Sequence, residues 1–257
     1  MNRLLRCVSL SAAATLAVAA QAIGGASPGA LAASRTVCPP GGASHTTFNG
    51  GLLVSGNNYC LLDHVTVNGG VTVVSGSDVD LENSTVNGRV SVRPGGEIEV
   101  GVSLFSGVRS PSTVRGGIRL NHPVDWDIET AHVDGGVRIT GGVDAFPTFC
   151  GNTVYGGMSV RDVSAAMTWI GDPGETLGGG ELTCLRNRIH GSLVLENSAT
   201  FVVEGNRVTG SVFLTGSTLE LNGNTIGGSL FCRDGTTILP GESPDPSGNT
   251  VGGANTC

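Results

Sequence analysis

Acidic residues recur in this chain at a spacing that could gather them on one surface. Asp78, Glu97 and Asp125 are each followed two positions later by a second acid, Asp80, Glu99 and Asp127, and Glu82 and Glu129 extend two of the three runs. Hard cations such as calcium take six to eight oxygen ligands from converging carboxylates and carbonyls. The residues Asp78, Asp80, Glu97, Glu99, Asp125 and Asp127 therefore read as a calcium-binding face, with calcium the one cofactor the sequence admits. Two enzymatic chemistries also draw on carboxylates. A glycosidase needs a pair of them across a cleft, and a polysaccharide lyase combines calcium carboxylates with an Arg or Lys base on the same face. The plainest alternative is a solvated charged surface, since two like charges about 5 Å apart in water repel by only about 1 kcal/mol.

Whether these acids meet depends on the elements that carry them, and those elements repeat. The unit is apolar-x-Gly-x-apolar-x-apolar, beginning at Val67, Val86, Val114, Val133, Val154, Ile189, Val208 and Ile226, with a degenerate ninth copy at Val251. Successive copies are separated by 19, 28, 19, 21, 35, 19, 18 and 25 residues. A coil of about nineteen residues with loops inserted in some turns fits this series, as stacked repeats tolerate insertions that leave the flanking register intact. Each coil carries a second apolar pair, among them Val79/Leu81, Ile98/Val100, Trp126/Ile128, Phe201/Val203 and Leu219/Leu221. Alternation of period two in both pairs predicts short strands with one face inward.

Counted from the anchors, Asp78, Glu97, Asp125 and Asp144 all fall eleven residues on, so stacking should place them in one column. They flank the inward residues and so are expected to face solvent. Asn152, Asn187, Asn206, Asn224 and Asn249 each stand two residues before an anchor. They read as a structural ladder at a corner, where Asn tolerates left-handed backbone and its amide can bond the next coil. The glycines two residues after each anchor mark a bend where a Cβ would clash. The five histidines, His45, His64, His122, His132 and His190, show no common register that would make a metal cluster. The largest insertion is expected over about Ala165 to Leu182, carrying Trp169. Arg89, Arg119 and Arg138 flank the other strand segment and are expected on a neighbouring face.

The chain begins with Arg3 and Arg6, an apolar small-residue run from Leu10 to Ala20, and Ala-rich cleavage-like sequence up to Ala33. This pattern predicts a signal peptide over 1–33, too short in its apolar run to span a bilayer, followed by one β-helix domain over 34–257. Six cysteines remain in that domain, Cys38, Cys60, Cys150, Cys184, Cys232 and Cys257. An even count in an exported chain reads as three disulfides. Cys232 and Cys257 each lie six residues after an anchor, which places them one coil apart. Cys150 and Cys184 share another corner, and Cys38 and Cys60 pair by elimination. Aromatic residues make up only 4% of the chain, glycine contributes 42 residues, and the formal net charge is −7. The charge disfavours nucleic acid as a partner.

The recurring Val-x-Gly-x-Val-x-Val unit and the closing segment 247–253 followed by Cys257 resemble an uncharacterised group of exported actinobacterial repeat proteins. The resemblance covers most of the mature chain. It implies a right-handed parallel β-helix, pectin-lyase-like in fold only, and no established activity; a left-handed helix would favour uninterrupted six-residue repeats. The fold expected is thus all-β, a single-stranded right-handed parallel β-helix of about nine coils. The function expected is that of an exported, non-catalytic structural or surface-binding module, monomeric and either secreted or cell-wall associated. Its expected partner is a cell-surface glycan or another envelope component. A calcium-dependent adhesive face and a glycan-active enzyme stand as the alternatives.

Overall fold

A computed structural model of the protein describes residues 35–101, 110–143, 146–172, 185–239 and 248–257. The expected leader lies outside them, as do Asp144 and Cys184. No helix among the described residues is long and apolar enough to cross a membrane.

The described chain is a right-handed parallel β-helix of ten rungs. Each rung contributes one strand to each of three parallel ten-stranded sheets, here sheets I, II and III in chain order. Rung 3, for example, comprises Val71–Val73 in sheet I, Asp78–Glu82 in sheet II and Thr85–Val86 in sheet III. Parallel pairing throughout follows from the winding, because successive passes run in the same direction and a crossover of two strands separates each pair.

Ten rungs replace the nine coils read from the sequence. The additional copy is Phe48-Asn49-Gly50-Gly51-Leu52, whose Phe48 pairs with Val67. A phenylalanine in the anchor slot conceals this copy, since the other anchors are all Val or Ile. The core is the set of inward columns. Val79, Leu81, Ile98, Val100, Trp126, Ile128, Phe201, Val203 and Leu219 are each at most 1% exposed. Burying each such side chain is worth about 1.5–3 kcal/mol, and the winding aligns them without needing a helix.

Two corners explain the polar repeats. The asparagine ladder is real: the amide of Asn187 donates to Asn206 Oδ1 (2.9 Å), that of Asn206 to Asn224 Oδ1 (3.0 Å) and that of Asn224 to Asn249 Oδ1 (2.9 Å). The same amides also donate to carbonyls of the preceding strands, as Asn206 does to Ile170 (2.8 Å). The left-handed conformation, however, belongs to the residue before the asparagine, Gly151, Gly205 or Gly223. In the earlier rungs Ser84 and Ser112 take the ladder position with hydroxyl bonds of the same kind. At the other bend backbone stacks on backbone: a Cβ on Gly88 would come within 2.6 Å of Gly69.

Disulfides Cys38–Cys60 and Cys232–Cys257 hold the two ends, with Cα separations of 6.3 and 5.0 Å. Cys150 is also disulfide-bonded. The 35-residue step is not one long insertion. Thr168–Gly171 forms the seventh strand of sheet II, with Trp169 opposite Thr148, so Trp169 is scaffold and the inserted residues follow it. Threonine in the inward slot at Thr168, buried at 2% exposure, hides this strand from an apolar pattern search.

Candidate functional site

Sheet II brings the predicted acids together. Glu97 is flanked by Asp78 and Asp125 as cross-strand partners, and Glu99 by Asp80 and Asp127. Two parallel columns of three carboxyls therefore run over rungs 3 to 5, one strand spacing apart. The fourth position is not acidic. The 21-residue step shifts the register, so that Thr148 stands opposite Asp127. Its backbone N–H donates to Asp127 Oδ1 at 3.0 Å, and its hydroxyl lies 2.7 Å from the same oxygen and 3.1 Å from Glu129 Oε1.

The acids do not form the solvated face expected of them. Asp80 is 0% exposed and Glu82 7%, and the remaining acids of the two columns are half-buried. Asp80 sits at the centre of its strand, with Leu61 and Glu99 on neighbouring strands and Asp78 and Glu82 on its own. The Tyr59 hydroxyl donates to Asp80 Oδ2 at 3.4 Å, while Oδ1 of Asp80 and Oδ1 of Asp78 meet no donor.

The electrostatic result is a set of carboxyls that resist ionisation. Burial, reinforced by Glu82 and Asp78, pushes Asp80 up to about 8. Burial, then Asp80 and Asp127, pushes Glu99 up to about 9. Asp78 rises to about 6 through burial and the charge of Glu97. Tyr59 is lifted above the usual phenol range by burial and by Asp80. At neutral pH Asp80 and Glu99 are thus mainly protonated, and the face carries less charge than its composition implies.

Sheet III holds a second arrangement, which sequence spacing did not reveal. Over rungs 5 to 8 its outward residues before the inward anchor are His132, Thr153, Arg188 and Arg207, and those after it are Asp134, Tyr155, His190 and Thr209. Tyr155 and His190 stack with ring centroids 4.7 Å apart and planes 5° from parallel, and His132 meets Tyr155 at 5.1 Å. Arg188 and Arg207 are cross-strand partners. Together with Arg186, Asn206 and Asp172 they line a cleft of about 570 Å³. Arg186, Arg188 and Arg207 are exposed, and none of the three forms an ion pair with a described residue. Tyr155 is 52% exposed. Tyr155 and His190 both follow an anchor directly, but the 35-residue step separates them in sequence, and only the stacked register shows them as neighbours.

Arg119 and Arg138 are cross-strand partners on sheet I, where Arg89, Arg93 and Arg119 line a smaller hollow of about 230 Å³. These arginines stand on the face next to the acids, as their spacing predicts. The expectation that the histidines share no register is corrected at the first two rungs. His45 and His64 each lie three residues before an anchor, Phe48 or Val67, and their rings stack at 4.7 Å. Missing the Phe48 copy concealed this pair.

Compared with protein-family models, curated proteins and solved structures, the chain matches none.

Proposed function

We propose that the protein is an exported, non-catalytic binding module of the cell exterior, and that its sheet III strip holds an anionic glycan. The carrying observation is the coplanar Tyr155/His190 stack beside three exposed arginines in an open cleft. A sugar ring offers an apolar face to an aromatic platform, and a carboxylate, sulfate or phosphate offers paired oxygens to a guanidinium fork. Every one of the 14 basic residues of the chain is arginine, the side chain best matched to such bidentate contacts. The strip covers three rung steps, about 14 Å, enough for several sugar units. Its cationic groups lie in a chain of net charge −7, which works against long-range attraction of nucleic acid and favours short-range, geometry-dependent recognition. The predicted leader, the disulfides and the resemblance to exported actinobacterial repeat proteins support a location outside the cytoplasm.

Titration of a uronic-acid or phosphate-bearing polysaccharide into the mature protein tests this reading. Binding that weakens at least tenfold in Arg188→Ala/Arg207→Ala and in Tyr155→Ala, and that falls with salt, is the expected result. Binding unchanged in both variants, or selective binding of single-stranded nucleic acid, would refute it.

A second reading rests on Asp80. A fully buried carboxyl with an oxygen lacking a donor, among five acids within two rungs, is an arrangement that a calcium ion could complete. Because Asp80 and Glu99 hold protons at neutral pH, calcium would have to displace them, and its affinity should rise steeply from pH 6 to pH 9. Calorimetry at the two pH values decides this reading.

A further inference from the structure

We infer that His45, Asp63 and His64 form a binding site for a divalent late transition-metal ion, zinc or copper, that ties the first rung to the second. One ligand atom from each of the three residues lies within 4.8 Å of those of the other two. His45 follows the sheet II strand of rung 1, Ala43–Ser44, whereas Asp63 ends the corresponding strand of rung 2, Tyr59–Asp63, with His64 next in the chain. The donor set is therefore built by stacking.

The chemistry selects the ion. Two imidazoles and one carboxylate suit zinc and copper, whereas calcium and magnesium want oxygen ligands almost exclusively. His64 Nδ1 and Asp63 Oδ1 face each other across 2.7 Å. An ion bound by both atoms requires the pair to open to about 3.3 Å, the edge of a tetrahedron with metal–ligand bonds of about 2.0–2.1 Å. The His64 side chain is 52% exposed and His45 is exposed as well, so both rings can turn at little cost. The second oxygen of Asp63 lies 3.4 Å from the Ser44 hydroxyl, and Asn83 Nδ2 lies 3.5 Å from Oδ1; these contacts orient the carboxylate as outer partners do around metal sites. Solvent supplies the fourth position.

His45 and His64 adopt positive φ values of 48° and 54°, and later rungs place Asn83 (φ 48°), Thr130 (φ 50°), Gly151, Gly205 and Gly223 in the left-handed region at the same corner. The corner thus accepts several residue types, among which Asn and His are favoured at positive φ.

Zinc and copper titrations of the mature protein test the site, with His45→Asn and His64→Asn as variants. Asparagine already occupies the same backbone conformation at Asn83, so both variants should keep the fold. The expected result is one equivalent of ion bound. Affinity should fall at least a hundredfold in either variant and stay unchanged in His132→Gln/His190→Gln. The melting temperature should rise with the ion in the parent protein and in neither Asn variant. No stoichiometric binding, or equal binding in the parent and both Asn variants, would overturn the assignment; loss only in the His132/His190 variant would relocate the site to sheet III and equally overturn it.

Discussion

Substituting Asp80 by asparagine should make the protein more stable, and increasingly so as pH rises. Asn keeps the shape of the carboxyl and cannot ionise. In the native state Asp80 holds its proton up to about 8, against 3.8 for the unreacted group. The unfolded chain therefore loses this proton near pH 4, whereas the folded chain retains it. Between these values the native state binds more protons than the unfolded state, so stability falls with rising pH and levels off only above the native value. From pH 5 to pH 9 the loss assigned to Asp80 is on the order of 4 kcal/mol, at 1.36 kcal/mol per unit of difference. Asp80→Asn abolishes this slope. It also removes the strongest like charge acting on Glu99, which should then ionise at lower pH. Denaturant unfolding at constant ionic strength with a chelator present, followed by fluorescence of the buried Trp126, measures the effect. The variant should lead the parent by about 2 kcal/mol at pH 5, where the unfolded carboxyl is already ionised, and by about 6 kcal/mol at pH 9. Parallel pH profiles, or a parent more stable at pH 9 than at pH 5, would refute the argument. Calcium added at pH 9 restores the parent and not the variant if Asp80 holds the ion.

Two further substitutions probe the scaffold. Asn206→Ala should cost about 3 kcal/mol, because it removes buried bonds to Asn224, Ile170 and Asn187 and opens a small cavity, whereas Asn249→Ala at the half-buried end of the ladder should cost about 1 kcal/mol; urea unfolding compares the two. Replacing Cys232 and Cys257 by serine opens a link of sequence separation 25 and should cost about 3 kcal/mol, with hydrogen exchange accelerating first in the last rung.

The winding was legible in the sequence because it depends on features that recur. Anchors such as Val67 and Val86, and inward pairs such as Val79/Leu81, repeat with their spacing to the bend glycine intact. Rung 1 was not legible because Phe48 departs from the Val/Ile pattern, and the strand at Thr168–Gly171 was not because a threonine points inward. The acidic columns could be counted from Val67, Val86 and Val114, but their burial could not, since contacts such as that of Tyr59 with Asp80 join residues of different rungs. The sheet III cluster was hidden for a related reason. Tyr155 and His190 occupy equal positions in successive rungs, and only a register that passes through the 35-residue step makes them adjacent.

The three outer faces bear different chemistry although one repeat generates them all. Inward columns fix the rung spacing and tolerate any aliphatic of about the right size, so they constrain the outward residues very little. Each outward column can then hold one kind of group over several rungs: arginines at Arg119 and Arg138 on sheet I, acids on sheet II, and threonine and asparagine giving way to rings and arginines on sheet III. Stacking at strand spacing brings like groups together whatever their sign, and that has a cost on each face. On sheet II it is relieved by protons, on Asp80 and Glu99. Arginine cannot be relieved in this way, because it keeps its proton at every accessible pH. Arg188 and Arg207, side by side with no described carboxylate paired to either, are thus a standing repulsion that a multivalent anion would remove. This asymmetry, rather than the number of charges on either face, is the ground for proposing sheet III over sheet II as a ligand-binding surface at neutral pH.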